Sequence, residues 1–310
     1  MKYEYIFGPV PSRRLGVSLG VDLVKKKTCN LDCVYCECGR TEETTNDRKS
    51  YVDKEKVIAE IKDYLDSGNY LDYITFSGWG EPTLNSDIGE ILKEIKKITN
   101  IKTAVITNGT LLWMQEVREA LMISDVVMPS LDAVSKEVFE KINRPYKSLE
   151  IEKIKNGIIE FANEYKGELK LEIFIIDGIN NGEKEIDKFK EIIKKIKPSV
   201  VQLNSLDRPA PENWVKKADS DILEKIKSAL EYDEIEIISK YKSRENIKNY
   251  NENSEKLILN MIEKRPCTID DIVDITGMSK SEVNKYIDIL EKEKKTLTIL
   301  GERGVFIKKI

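Results

Sequence analysis

The sequence contains no histidine. That absence removes every site that needs an imidazole: Ser-His-Asp hydrolysis, Cys-His proteolysis, HExxH metalloproteases and Cys2His2 fingers. General acid–base work near neutral pH would fall to shifted Glu, Asp, Lys or Cys groups. No apolar run approaches the roughly 18 residues of a membrane helix, and the N-terminal MKYEYIFGPVPSRR lacks a signal-peptide core. No membrane association is expected, and the cytoplasm is the expected location. A net charge of −4 argues against a nucleic-acid footprint over the whole protein, while leaving room for a local basic patch. Cysteine is scarce, with 5 in 310 residues. Yet four of these fall in one short stretch, Cys29-Asn-Leu-Asp-Cys33-Val-Tyr-Cys36-Glu-Cys38.

The rest of the composition, 40% hydrophobic and 34% charged, is that of a globular chain with one large and one small domain. Apolar β-rich runs alternate with amphipathic stretches of helical period. Strands are expected near Val17–Val24, Leu71–Ser77, Thr103–Thr107, Asp125–Leu131, Leu169–Ile176 and Ser199–Asn204, with an extra one at Ile235–Ser239. Helices are expected at Lys54–Asp66, Ser86–Ile98, Met114–Leu121, from Ser135 to Tyr165, at Glu183–Ile196 and at Asp221–Leu230. Six strand–helix repeats with short connections imply a parallel sheet with right-handed crossovers. An open doubly wound sheet and an incomplete (β/α)6 barrel both fit, and in either the loops after the strands form the site. Residues 1–239 read as the large domain and 240–253, polar and poor in core residues, as a linker. Residues 254–310 read as three short helices and two strands around a tight turn, the pattern of a winged helix.

The cysteine stretch admits several chemistries. A disulfide knot is out of place in a cytoplasmic chain of this size. Structural zinc would want a second CxxC or a His pair at a distance, and the remaining cysteine, Cys267, stands alone. Cys29-x3-Cys33-x2-Cys36 suits an iron–sulfur cluster: three thiolates wrap one face of a cubane and leave one iron open. Cys38 is a reactive thiol, a facultative fourth ligand or a bystander. Cys267 reads as a small core or surface residue.

This spacing, with aromatic Tyr35 before the third cysteine, resembles the signature of the radical S-adenosylmethionine (SAM) superfamily. The resemblance implies a partial (β/α)6 barrel with the motif in the loop after its first strand. It also implies a [4Fe–4S] cluster on Cys29, Cys33 and Cys36, with SAM chelating the open iron. One electron from the reduced cluster then breaks a carbon–sulfur bond, and a 5′-deoxyadenosyl radical abstracts hydrogen from a substrate. Ser77-Gly78-Trp-Gly80-Glu81-Pro82 is similar to the family's glycine-rich segment for the methionine amino group. Thr107-Asn108-Gly109 resembles the ribose-side segment, and Ser130-Leu-Asp132 the polar pair for ribose hydroxyls or the methionine carboxylate. Ile175-Ile-Asp-Gly178-Ile179 resembles the stretch near adenine. GPVPSRRLG, FSGWGEPTL, INRP and QLNSLDRP are similar to a subgroup of iron–sulfur oxidoreductases grouped with wyosine-type tRNA-modifying enzymes, although a second N-terminal cysteine set is not evident.

Substrate candidates are Arg13 and Arg14, suited to phosphate or carboxylate, and Asn204, Asp207 and Arg208 after the sixth strand. Asn143 and Arg144 either close the site or end a helix before Pro145. The expected partners are an electron donor such as a flavodoxin or ferredoxin and an RNA substrate, with a peptide as the alternative. A rival reading is an iron–sulfur redox sensor binding DNA through its winged helix. Residues 254–310 carry 11 Lys and Arg against 10 Asp and Glu, and the wing offers Arg303 as its basic residue.

Overall fold

The computed structural model describes residues 3–24, 26–68, 70–208, 210–238, 254–263, 265–278, 280–301 and 303–310. The expected linker, 240–253, lies outside the described residues, as does Ser239.

A hairpin opens the chain, β1 (Ile6–Ser12) and β2 (Gly16–Val21). A short parallel pair, β3 (Thr28–Cys29) and β4 (Glu43–Thr44), brackets the cysteine loop. Strands and helices then alternate: α1 (Lys54–Asp66), β5 (Tyr73–Phe76), α2 (Ile88–Ile98), β6 (Lys102–Thr107), α3 (Gln115–Leu121), β7 (Val126–Pro129), α4 (Lys136–Asn143), α5 (Ile151–Glu164), β8 (Glu168–Ile175), α6 (Glu183–Ile196), β9 (Val200–Ser205), α7 (Ser220–Leu230) and β10 (Ile235–Ile237). The sheet order is β1-β2-β5-β6-β7-β8-β9-β10, parallel throughout except for β1 at the edge. This is a mixed α/β fold on a parallel sheet, consistent with a partial (β/α)6 barrel.

The two faces of the sheet differ in chemistry. Leu19, Ile74, Phe76, Val105, Leu171 and Leu203 are fully closed to solvent in the main core. They meet helices such as α2, whose buried Ile88, Ile91, Leu92 and Ile95 recur at helical spacing. The alternate positions of the same strands carry Ser18, Thr75, Glu172, Gln202 and Asn204, all buried polar residues. A strand residue points away from its neighbours in sequence, so one face packs helices and the other lines an interior where these polar groups surround a small apolar cluster of Leu15, Ala104, Val126 and Met128.

The hairpin strand β1 was not anticipated. Gly8, Pro9 and Pro11 interrupt its period-two pattern, and its pairing to β2 shifts register between Phe7 and Val10. Proline is tolerated there because β1 is an edge strand. It moves Arg13 and Arg14 into the β1–β2 turn. The helical stretches expected from Ser135 to Tyr165 are α4 and α5, separated where Arg144 turns left-handed, φ +43°, at the end of α4.

The C-terminal segment comprises α8 (Ser254–Ile262), β11 (Cys267–Thr268), α9 (Ile269–Thr276), α10 (Lys280–Lys292), β12 (Thr296–Gly301) and β13 (Gly304–Lys309). Its strands form an antiparallel sheet in the order β11-β13-β12. Ile258, Met261, Cys267, Ile272, Val283 and Leu290 make a core of its own. Thr268 and Asp271 form a reciprocal capping box at the start of α9, and Gly277 closes it at φ +65°. Both α8 and α9 pack against β1. Among the described residues, no helix is long and apolar enough to cross a membrane.

Candidate functional site

The cysteine loop leaves the C-terminal end of β2 and is stitched to the end of α4. Asp32 N donates to Asn143 O at 3.0 Å, Val34 N to Ile142 O at 2.9 Å, and Tyr146 N to Asn30 O at 2.9 Å. Leu31 and Val34 are buried as anchors. These ties leave Cys29, Cys33 and Cys36 part-exposed, with Cys29 and Cys33 resting against the edge of the main core.

Each of the three sulfurs has its own protein donor. Asn108 Nδ2 lies 3.6 Å from Cys29 Sγ, Asn143 Nδ2 3.3 Å from Cys33 Sγ, and Lys27 Nζ 2.7 Å from Cys36 Sγ. Lys27 is itself buried. The hydrogen bond from Cys38 holds the Cys36 thiol down at about 6 against the effect of burial, and the Lys27 charge helps. Burial pushes Cys29 up to about 12, with the Glu81 charge adding to it. Burial also raises Cys33. Two thiols that resist ionisation beside one that ionises readily suit a group that brings its own positive charge, because iron stabilises the thiolate that desolvation disfavours. Among the described residues no three Cys, Asp or Glu side chains converge on one point. A four-iron cluster does not ask this of them, since each thiolate binds a different iron. The donor set fits such a cluster.

The glycine-rich segment crosses directly behind the loop. An added Cβ at Gly80 would lie 1.7 Å from the Thr28 carbonyl oxygen, one residue before Cys29, so the two backbones touch. Gly78 has φ +149°, and a Cβ there would strike the Asp22 carboxylate. Glu81 is buried and points inward. One carboxylate oxygen accepts from Thr83 N (3.0 Å), Thr83 Oγ1 (2.6 Å) and Thr107 Oγ1 (2.6 Å), the other from Asn108 N (2.7 Å). It therefore bolts the glycine turn to the Thr107–Asn108 loop. Burial raises its carboxyl above the ordinary value, with those hydrogen bonds opposing. Asn108 Nδ2 also reaches Asn30 Oδ1 at 2.7 Å.

On the opposite wall Asp132 is engaged as well. Its carboxylate accepts from Phe174 N at 2.8 Å and from the Tyr35 hydroxyl, while Asn143 Nδ2 approaches at 3.4 Å. The Tyr35 ring stacks on Phe174, centroids 4.1 Å apart. Ser130 bridges to Glu172 across the gap between β7 and β8. The sequence-derived residues thus divide into two groups around the thiols, Gly78, Gly80, Glu81, Thr107 and Asn108 on one side and Tyr35, Ser130 and Asp132 on the other.

Beside them lies a chamber of about 230 Å³ lined by Arg13, Arg14, Tyr35, Cys36, Cys38, Phe174, Asn204 and Arg208 from the large domain, and by Arg265, Asp271 and Arg303 from the C-terminal segment. Arg208 pairs with Glu37 at 2.8 Å, Arg13 with Asp207 at 3.5 Å, and Arg14 with Glu172. Burial opposes it, but Arg208 and Arg13 hold the Glu37 carboxyl down at about 2. Arg303 Nε lies 2.6 Å from Asp207 and Nη1 3.1 Å from Asp271. A larger groove of about 510 Å³, against Asp22, Trp79 and Glu263, contains no thiol. Of the thiols in the loop, Cys36 and Cys38 line the smaller chamber. Sequence reasoning missed Lys27, Asn30, Glu37 and Arg265. The first three flank cysteines and were readable as neighbours, whereas Arg265 comes from a different segment and no local pattern marks it.

A family profile described as the radical SAM superfamily matches residues 24–193. Fold and thiols thus define the class, a radical SAM enzyme, whose cofactors are a [4Fe–4S] cluster and SAM. A UPF0026 protein of Methanocaldococcus jannaschii is 33% identical over 291 residues, covering 91% of this chain and 90% of that one. A protein of Brachyspira hyodysenteriae named GTPase Obg is 38% identical over 291 residues, 93% of this chain. The chain spans 42% of that relative's length, and it contains no Gly-Lys pair from which a phosphate loop could be built. A crystal structure of a radical SAM methyltransferase from Sphaerobacter thermophilus shares the fold, with TM-score 0.54 at 15% identity over 71% of this chain and 65% of that one. The chain belongs to the radical SAM superfamily and, within it, to the UPF0026 proteins. Residues 256–293 match a second profile, described as bacterial regulatory protein, arsR family.

Proposed function

We propose that this radical SAM enzyme carries its cluster on Cys29, Cys33 and Cys36 and binds SAM between the Gly78–Glu81 and Thr107–Asn108 wall and the Ser130–Asp132 wall. The substrate then lies toward Arg13, Arg14, Asn204, Asp207 and Arg208. The observation that carries this reading is three part-exposed thiols in one loop, each with a separate donor at its sulfur. When bound, cluster and cofactor supply one-electron cleavage of a carbon–sulfur bond and hydrogen abstraction from substrate. The chain's own share is positional and electrostatic. Lys27 offsets thiolate charge, Asn108 and Asn143 orient two sulfurs, and Glu81 fixes the glycine turn against them. Tyr35, stacked on Phe174, holds Asp132 in place through its hydroxyl. The electron comes from outside, from a flavodoxin or ferredoxin.

Residues 1–239 form the enzymatic domain in this reading, a partial barrel, and 254–310 a winged helix joined by a linker at 240–253. The location is the cytoplasm. Anaerobic reconstitution followed by dithionite and SAM is expected to release 5′-deoxyadenosine, and Cys33→Ala to lose both the cluster absorbance and the product. A wild-type protein that holds four irons and sulfides yet never cleaves SAM would overturn the assignment.

The arsR-family match favours one other reading, a DNA-binding redox sensor. It is weakened by Arg303, the basic residue of the β12–β13 turn, which faces inward to Asp207 and Asp271 with its side chain 9% exposed. A wing that reads DNA keeps its arginine outside.

A further inference from the structure

We propose that the C-terminal segment is part of the substrate site, supplying Arg265 and Arg303 to the 230 Å³ chamber, and that the substrate is a small molecule bearing a phosphate or carboxylate group held by this arginine wall. This rests on the reading of the chain as a radical SAM enzyme acting at the thiols that border the same chamber.

The argument is one of charge. Five guanidinium groups meet around the chamber: Arg13, Arg14 and Arg208 from the large domain, Arg265 and Arg303 from the C-terminal segment. The carboxylates among them number four, Glu37, Glu172, Asp207 and Asp271, each already in an ion pair with one of the other arginines. Arg265 has no ion pair or side-chain hydrogen bond among the described residues; burial and nearby Arg208 depress its guanidinium below the ordinary value, with the Glu37 charge opposing at a distance. Arg208, 8% exposed, keeps a buried Nε with no hydrogen-bond partner. Part-exposed Arg265 feels Glu37 only at a distance, and an unmatched guanidinium beside an orphaned buried Nε is a net cost to the fold. An anion in the chamber removes that cost, and guanidinium forks suit the paired oxygens of phosphate or carboxylate.

Size narrows the class. The chamber is small beside the roughly 300–1,000 Å³ of ordinary ligand pockets, and it is bounded by both parts of the chain. A polynucleotide cannot thread it while Arg303 bridges Asp207 and Asp271. The arginines also border Tyr35, Cys36 and Cys38. An anionic anchor there holds a small substrate beside the cofactor, where the hydrogen is taken.

The test uses the reconstituted full-length protein under anaerobic conditions, with inorganic pyrophosphate and citrate as probes of the two oxyanion types and calorimetry as the readout. Wild type is expected to bind at least one probe saturably. Arg265→Ala is expected to weaken it about tenfold or more, and Arg265→Lys to recover part of the loss. Arg303→Gln is expected to weaken it as well, while Lys280→Ala, on the outer face of α10, leaves it unchanged. Circular dichroism and iron content confirm that each variant is folded and loaded. Absence of saturable binding in wild type, or equal binding in Arg265→Ala, overturns the proposal. So does tight binding of a transfer RNA that is lost with Lys280→Ala and kept with Arg265→Ala. None of these results bears on 5′-deoxyadenosine release, which tests the enzyme class separately.

Discussion

Replacing Gly80 by alanine is the sharpest test of how the site is assembled. The new Cβ would lie 1.7 Å from Thr28 O, 2.7 Å from Thr28 C and 3.0 Å from Val24 Cγ2. The first two atoms are backbone, so no rotamer change relieves the overlap. To regain a 3.0 Å contact one strand of chain must retreat by roughly 1.3 Å. The retreat breaks the bond from Glu81 N to Thr28 O, 3.2 Å in the native protein. Overpacking costs about 1–3 kcal/mol and the lost hydrogen bond about 1 kcal/mol, so the variant is destabilised by about 2–4 kcal/mol. For a chain of this size that lowers Tm by roughly 4–16 °C. Function is expected to suffer more, because Thr28 adjoins Cys29, a proposed cluster ligand, and a displaced neighbour of a metal ligand typically weakens metal binding about 10–100-fold. The assay is iron and sulfide per chain after anaerobic reconstitution and gel filtration, together with the melting temperature. Gly182→Ala is the control: nothing lies within 4 Å of its added Cβ. If Gly80→Ala retains full iron and melts within about 1 °C of wild type, the close crossing of the two segments is refuted.

Other expectations follow from single contacts. Lys27→Met removes the cation 2.7 Å from Cys36 Sγ and is expected to lower the cluster's reduction potential by tens of millivolts, read by redox titration with electron paramagnetic resonance. Glu81→Gln keeps one acceptor oxygen but turns an amide NH2 toward a donor now held by the carboxylate. A loss of about 1–3 kcal/mol is expected in urea unfolding. Asp125 accepts from Thr103 N at 2.6 Å, from Thr103 Oγ1 and from Lys96. Burial alone would raise its carboxyl, but these donors hold it below the ordinary 3.8. A depressed folded-state value means stability that is complete above 3.8 and drains away as pH falls through the lower folded value. The gap in Tm between wild-type apoprotein and Asp125→Asn should accordingly narrow on acidification below about pH 4; a gap that widens would contradict it.

Much of the proposed site was legible because it is local. The three cysteines share one loop, and spacing alone told how they could wrap a cluster. Gly78, Gly80 and Glu81 follow one strand, Thr107 and Asn108 the next, and strand ends at the C-terminal edge of a parallel sheet point to one place. The role of Glu81 was half legible: a charged residue after two glycines could face cofactor or brace a turn, and four hydrogen bonds across two loops assign it to bracing. Asn143 was read as closing the site or ending a helix before Pro145, and it is the last residue of α4. Its contact with Cys33 depends on the end of α4 being pinned to the cysteine loop, and no periodicity encodes that meeting. The strand β1 was hidden by prolines that only an edge position tolerates.

By itself the sequence determined the chemistry on offer: thiols at a cluster's spacing, glycines where backbones must touch, no imidazole, and a repeating strand–helix pattern that ranks these segments along one sheet edge. These follow from period and spacing, which short-range sterics enforce. The tertiary structure alone decided what the C-terminal segment does with its charges. A composition of 11 basic against 10 acidic residues is silent on direction. Packing of α8 and α9 against β1 turns Arg265 and Arg303 inward, where low dielectric and close carboxylates make every unpaired charge count.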